Sequence, residues 1–159
     1  IDEEGLETLE SISKANRFNE WMYRTIRPHL SGRVLEVGSG IGNISRLFLR
    51  DGYRITLSDV RENYCQALES SFSGESGLDG ILHLDLVHSD FEQQYAPYLG
   101  SFDSVFALNV IEHIENDTLA IANAMRLLKP GGRMAILVPA YQWLYNRFDK
   151  ELYHYRRYT

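Results

Sequence analysis

Four groups of residues in this chain have the types and spacing for chemistry. Glu36 stands two residues before the first of three alternate glycines, Gly38, Gly40 and Gly42. Two acids, Asp59 and Asp90, follow apolar runs further along. Glu112 and His113 are adjacent, and His154 lies in a C-terminal stretch crowded with tyrosine and arginine. A glycine turn bends the backbone sharply and lets a ligand lie against it with no Cβ in the way. Carboxylates beside such a turn can hold hydroxyl or ammonium groups, and a histidine can take a proton from a reacting group. The set suggests a nucleotide-like cofactor.

The elements that must position these residues follow from apolar periodicity. A helical rhythm runs over 6–30 through Leu6, Leu9, Ile12, Phe18, Met22 and Ile26, and Pro28 ends it. The spacing predicts a first strand over 33–37, the glycine turn, and a helix over 43–50 closed by Asp51 and Gly52. A second strand is expected over 53–58 with Asp59 at its end, then a helix over 63–72. Residues 73–80, with three glycines, read as a loop. A third strand is expected over 81–87 with Asp90 beyond it, and 91–101 reads as a polar connection. The run 102–108 is nearly all apolar, as in a central strand buried on both faces. A helix over 111–128, stopped by Lys129-Pro130-Gly131-Gly132, precedes a fifth strand over 133–138. Strands alternating with helices predict a parallel sheet with helices on both faces, a three-layer α/β/α arrangement.

Composition bounds the function. The 159 residues fit one domain with a real core. A formal charge of −6 argues against a nucleic-acid binder. Cys65 is the only cysteine, which rules out an intrachain disulfide and fits a reducing, cytoplasmic setting. No apolar run is long enough to span a membrane. Residues 1–5 lack signal-peptide character, and a start at Ile1 reads as a fragment or processed product. The stretch 139–159 departs from the acidic body: five of the ten tyrosines fall there, and its net charge is +2.

The glycine spacing separates two cofactor classes. A dinucleotide fingerprint, G-x-G-x-x-G, would need a third glycine at position 43, which is Asn43. Here the spacing is E-x-G-x-G-x-G. A carboxylate at position 36 would repel a pyrophosphate but could hold an ammonium. S-adenosylmethionine carries an ammonium and no phosphate.

With these residues in order, the chain resembles the class I, Rossmann-like S-adenosylmethionine-dependent methyltransferases over roughly 16–139. The segment 36–42 is similar to the family's first motif, Asp59 to its ribose-binding acid, and Asp90-Phe91 to the pair bordering the adenine, with Asp85 a rival to Asp90 that position disfavours. The run 102–109, its continuation 109–113, and the turn 127–132 match in the same order. The resemblance implies a cofactor site of Glu36, Gly38, Ser39, Gly40, Gly42, Asn43, Asp59, Val60, Asp90, Phe91, Asn109 and Val110. It also implies that a helix starting near Asn43 offers free N–H groups to the methionine carboxylate.

Methyl transfer from a sulfonium is an in-line displacement for which the protein supplies alignment. A base is needed only for a weakly acidic acceptor such as a hydroxyl. His113 and His154 are the catalytic candidates, with Tyr141 a further one, and no metal is expected. The tail resembles members encoded with or fused to glycosyltransferases, which implies a sugar, glycolipid or other polar small molecule as acceptor and a glycosyltransferase as partner. Arg147, Arg156 and Arg157 are expected to hold an anionic group such as a phosphate. The family sheet has seven strands, whereas five are legible here, so the C-terminal strands are expected to be missing. Two other readings are a cofactor-binding pseudo-enzyme that regulates a partner and an NAD-dependent oxidoreductase, the latter opposed by Glu36 and Asn43.

Overall fold

A computed structural model describes residues 16–159. Helix α1 (Asn16–Ile26) leads through a 3-10 turn at Arg27–His29 into β1 (Arg33–Val37). Then come α2 (Ser45–Arg50), β2 (Arg54–Asp59), α3 (Glu62–Phe72), β3 (Leu78–His83), α4 (Phe91–Gln94) and β4 (Phe102–Leu108). Helix α5 (Asp117–Arg126), β5 (Leu128–Leu137) and the short α6 (Arg147–Glu151) complete the order. The five strands form one sheet in the order β3-β2-β1-β4-β5, and every neighbouring pair is parallel. This is a Rossmann-like α/β fold. Its strand order reverses between β1 and β4, the crevice where open α/β sheets bind ligands at their carboxyl ends.

Two apolar cores flank the sheet. The period-2 alternation of β1 sends Val34 into one and Leu35 and Val37 into the other. Residues of α1, α2 and α3 pack on the first face, where Phe48 meets Tyr23, Tyr53 and Phe106 at ring centroid distances of 4.8, 5.1 and 5.0 Å. Residues of α4 and α5 pack on the second. Glu36 shares the parity of Val34 and therefore points toward α2, a placement that matters below.

Several elements differ from the sequence expectation. The part of the first helix over 6–15 lies outside the described residues. The chain forms a turn before α2, which starts at Ser45 rather than Asn43 and has six residues. The strand expected over 81–87 runs over Leu78–His83, with an irregularity in its pairing between Ile55 and Thr56. The buried alternation of Leu84 and Leu86 is real, but their segment has left the sheet. The Leu84 N–H still donates to the Asp59 carbonyl of β2 at 2.9 Å, but beyond it the bonds go elsewhere: the Asp85 N–H donates to the Tyr95 hydroxyl at 2.8 Å, and the Asn123 amide donates to the Leu86 carbonyl at 2.8 Å. The polar connection over 91–101 contains α4, with Phe91 and Tyr95 buried. The helix expected from 111 is broken. Ile111–His113 is a 3-10 turn, Ile114 is extended, and α5 begins only after Asn116, whose side chain accepts from the Leu119 N–H at 3.1 Å.

Candidate functional site

The site sits at the carboxyl ends of β1, β2 and β4. Gly38, Gly40 and Gly42 all have left-handed φ, at 72°, 55° and 83°. Their spatial roles differ. A Cβ on Gly38 would lie 2.4 Å from Val110 Cγ2, and one on Gly42 would lie 2.3 Å from the Phe72 ring. Those two glycines are required by packing, because they let the turn sit against the end of β4 and against α3. Gly40 contributes its N–H to Asp59 Oδ2 at 3.0 Å, which ties the turn to the end of β2. A second tie runs through Ser39: its N–H donates to the Ser58 carbonyl at 2.8 Å, and its hydroxyl accepts from the Ser58 N–H at 3.1 Å.

Glu36 is buried, and its Oε2 accepts a short hydrogen bond from the Ser45 hydroxyl of α2. Burial pushes its carboxyl up to about 7, with the nearby Asp59 charge adding and the Ser45 and Ser39 hydroxyls opposing. An ammonium arriving beside it would restore the full negative charge. Asp59 is also buried, and its other oxygen accepts from the Arg61 N–H at 3.0 Å. Each Asp59 oxygen keeps a second lone pair for a ligand hydroxyl. Val60, beside it, is an exposed apolar side chain at 54%.

Asn109 ends β4 with a left-handed φ of 53°, a conformation Asn tolerates better than most residues. Its N–H donates to the Leu137 carbonyl at 2.8 Å, which locks the end of β4 to β5. Asp90 is exposed at the start of α4. The Phe91 ring is buried against Tyr95 at 4.8 Å in the second core, so only its backbone can face a ligand at the adenine position. The helix N-terminus expected at Asn43 is a turn, in which the Gly42 N–H donates to the Ser39 carbonyl at 2.9 Å.

A second cluster lies past β4, where the tail folds back. The Tyr155 N–H donates to the Glu112 carbonyl at 2.8 Å, and the His113 and His154 rings meet edge to face at 4.7 Å. Residues separated by 41 positions thus share one cluster. His154 is no loose surface histidine. Its Nδ1 lies 3.0 Å from Asp149 Oδ1, and its side chain is 9% exposed. Asp149 is inaccessible to solvent although it belongs to the thin tail. Arg157 donates to its two oxygens at 2.7 and 3.0 Å, and the Asn146 N–H donates at 2.9 Å. These partners, Arg157 foremost, hold the Asp149 carboxyl far below the usual range.

Glu112 is fully buried, and neither of its carboxylate oxygens has a hydrogen-bond partner within the protein. Burial pushes it up to about 7. Partial burial of the His113 ring, with the charges of His154 and Arg61 adding, pushes its imidazole down to about 4 and leaves it neutral near pH 7. Glu112, His113 and His154 bring one ligand atom each within 4.8 Å of one another, a donor set a divalent cation could use where none was expected.

The expected anion site is not formed. Arg156 is paired with Asp117 at 2.7 Å and also donates to the Ile114 and Glu115 carbonyls. Arg157 holds Asp149, and Arg147 pairs with Glu151 at 2.7 Å. All three arginines are engaged in intramolecular pairing. Tyr141 is exposed, with its ring against Trp143 at 5.9 Å.

Ser45, Ser58 and Asp149 have no role in the sequence reading, and Arg157, expected at an anionic ligand, holds Asp149 instead. The Asn146-x-x-Asp149 spacing is a capping-box signal that could have found Asp149. Ser45 had no such signal, because its importance comes from the parity of Glu36. Two open grooves lie away from these residues, one on α1 around Glu20 and Trp21, the other along the outer edge of β5.

Fold and site together define a Rossmann-like domain with a glycine turn and two buried acids at the carboxyl end of its sheet. A family model described as a methyltransferase domain matches residues 35–136. The chain belongs to that family. It is 33% identical over 113 residues to a ubiquinone biosynthesis O-methyltransferase of Xanthomonas oryzae pv. oryzae, covering 70% of this chain and 45% of the relative. It is 31% identical over 106 residues to an S-adenosyl-L-methionine-dependent Diels-Alderase of Talaromyces variabilis, covering 66% and 35%. The chain thus spans less than half the length of either relative. Among solved structures, the [4+2]-cyclase SpnF matches with a TM-score of 0.68 at 18% identity, covering 91% of this chain and 52% of that one. A Haemonchus contortus phosphoethanolamine N-methyltransferase, solved with S-adenosylhomocysteine, matches with a TM-score of 0.63 at 22% identity over 80% and 30%. At these identities the structural matches speak to fold alone.

Proposed function

We propose that the domain binds S-adenosylmethionine and transfers its methyl group to a small-molecule acceptor. The observation that carries this reading is the buried Glu36 carboxylate below a glycine turn, tied to Asp59 through the Gly40 N–H. Glu36 takes the ammonium of the methionine moiety, the two Asp59 oxygens take the ribose hydroxyls, and the exposed Val60 supplies apolar surface for the base. Ser39, Asn43, Asp90, Asn109 and Val110 complete the wall, with Phe91 contributing backbone only. When bound, the cofactor supplies an electrophilic methyl group, and the chain's residues orient it and exclude water.

His113 and His154 border the acceptor side. The acceptor is a sugar, glycolipid or other polar metabolite, a reading supported by the exposed rings of Tyr141, Trp143, Phe148, Tyr153 and Tyr155 around the tail. The resemblance of the tail to glycosyltransferase-linked members makes such an enzyme the proposed partner, with the cytoplasm as the proposed site of action. No described helix is long and apolar enough to cross a membrane. The test is transfer of labelled methyl groups from S-adenosylmethionine to a panel of sugars, phenols and amines. Turnover on a member of the panel is the expected result. Tight cofactor binding with no transfer to any of them would favour a second reading, use of the bound cofactor without methyl transfer. That reading has its own support in the similarity to a protein named as a Diels-Alderase.

A further inference from the structure

We propose that the rings exposed along the tail seat this domain on the surface of a phospholipid bilayer, with Trp143 and its neighbours inserted at the level of the headgroups. The inference does not depend on the methyl-transfer reading. If both hold, the glycolipid class of acceptor is the one such a surface presents.

The tail is built inside out. Its ends are joined, because the Tyr141 N–H donates to the Tyr158 carbonyl at 2.6 Å and the Tyr158 N–H donates to the Pro139 carbonyl at 2.9 Å. Within the closed loop, polar groups face inward. Asp149 is fully buried on Arg157, the Arg157 N–H donates to Gln142 Oε1 at 2.8 Å, and the Tyr145 hydroxyl donates to the His154 carbonyl at 2.6 Å. The large apolar groups face outward. Tyr141, Trp143, Leu144, Phe148, Tyr153 and Tyr155 are all exposed, the densest such group among the described residues, with Trp143 and Tyr153 at 78% each. Tyr141 and Tyr153 also sit on backbone that side-chain-bearing residues rarely adopt, with left-handed φ of 64° and 58°. Strain of this kind persists only where the surroundings enforce it, and it points to a use for the rings it presents.

A loop folded for water hides its rings and shows its charges. The boundary between water and lipid rewards the reverse, for three reasons. Tyr and Trp combine an apolar body with a polar tip, which suits the headgroup level. Backbone groups that leave water must already be bonded, and here the N–H groups of Leu144, Tyr145, Leu152, Tyr153 and His154 donate to carbonyls of the loop itself. Charges are costly to desolvate unless paired, and Arg156 and Arg157 are paired with Asp117 and Asp149. Charge also sets the orientation. Arg147 and Lys150 are exposed on α6 to either side of Phe148 and Asp149, and the tail carries +2 on a chain of −6. An anionic bilayer attracts this end and repels the rest, which turns the tail toward the lipid. A folded protein partner fits less well. Protein interfaces draw on arginine anchors and matching pockets, whereas the tail arginines are turned to intramolecular carboxylates and neither open groove touches these rings.

The test uses the 159-residue chain and vesicles of phosphatidylcholine, alone or mixed with phosphatidylglycerol. Trp21 and Trp143 are the two tryptophans of the chain, so Trp21→Phe leaves Trp143 as the sole reporter. Its emission is expected to shift to the blue on vesicle binding and to be quenched by lipids brominated on the acyl chain. In co-sedimentation, Trp143→Ala and Phe148→Ala should each lower the partition about tenfold or more, the effect of returning one large apolar side chain to water. Trp143→Phe, which keeps a ring, should lose less. Adding phosphatidylglycerol should change the partition less than losing either ring does. Both side chains are exposed, so thermal unfolding of the variants should match the parent's, which separates lost docking from a lost fold. No blue shift and no quenching of Trp143 at high lipid overturns the proposal. So does partition that survives Trp143→Ala and Phe148→Ala combined, which would place the contact on another face. Self-association without lipid that Trp143→Ala abolishes overturns it as well and assigns the rings to a second copy of the chain.

Discussion

The two sides of the cleft are held together by opposite kinds of contact. On the glycine-turn side, the determining features are backbone conformation and close packing: left-handed φ at three glycines, Val110 over Gly38, Phe72 against Gly42, and short ties from β1 to β2. On the tail side they are charged side chains: Asp149 with Arg157 and His154, and Asp117 with Arg156 and the Tyr158 hydroxyl. The first kind admits almost no substitution at Gly38 and Gly42. The second tolerates shape changes but depends on every charge keeping its partner. A nucleoside cofactor needs a fixed cradle, and an acceptor needs a surface that can be respecified. Under the proposed function, that difference matches a fixed cofactor cradle on one side and an adaptable acceptor surface on the other.

The sharpest break of the comparison is Gly42→Ala. The new Cβ meets a ring inside the core at a φ that L residues rarely adopt, and a loss of about 2–5 kcal/mol is expected. Chemical denaturation would show it, and S-adenosylhomocysteine binding would weaken in parallel. Asp149→Ala is the counterpart on the tail. It leaves the global transition little changed but opens 139–159 to proteolysis, with cofactor affinity preserved. Limited digestion checks this, and a tail as resistant as the parent's would mean that the ion pairs are dispensable.

Next in size are the cofactor acids. Glu36→Gln and Asp59→Ala should each weaken S-adenosylhomocysteine binding about tenfold or more, the range for hydrogen bonds to charged groups. Because the Glu36 carboxyl is raised to about 7, it loses its charge below that pH. Affinity should then fall about tenfold per unit as pH drops below 7, and Glu36→Gln should flatten the profile.

A separate effect, on stability alone, concerns Glu112, raised from 4.5 to about 7. A carboxyl raised in the folded state keeps a proton there that the unfolded chain has already released. Stability is therefore lost as pH rises through the window between those values, and stays level above it. Glu112→Gln should stabilise the protein at pH 8, by at most about 3 kcal/mol, and do nothing at pH 4. Thermal unfolding at the two pH values reads the difference.

Legibility in the sequence follows the same divide. The glycine spacing, Asp59 and the five strands are local patterns, each readable within a window of a few residues. The course of 84–87 was misread because buried alternation looks alike in a strand and in an extended segment whose hydrogen bonds go to side chains such as Asn123. The helix start at Asp117 was missed because Ile111 and Ile114 have helical spacing, while the Asn116 cap decides the boundary. The arginines were taken for an anion site because sequence shows charge but not pairing. Asp117 lies 39 residues before Arg156, and no local pattern joins them.

The most direct test of the central claim is calorimetric titration of the chain with S-adenosylhomocysteine at pH 8, beside an identical titration with NADH. The account predicts micromolar binding of the first, weakened by Glu36→Gln, and no heat from the second. Binding of NADH, or S-adenosylhomocysteine affinity indifferent to Glu36→Gln, would contradict it.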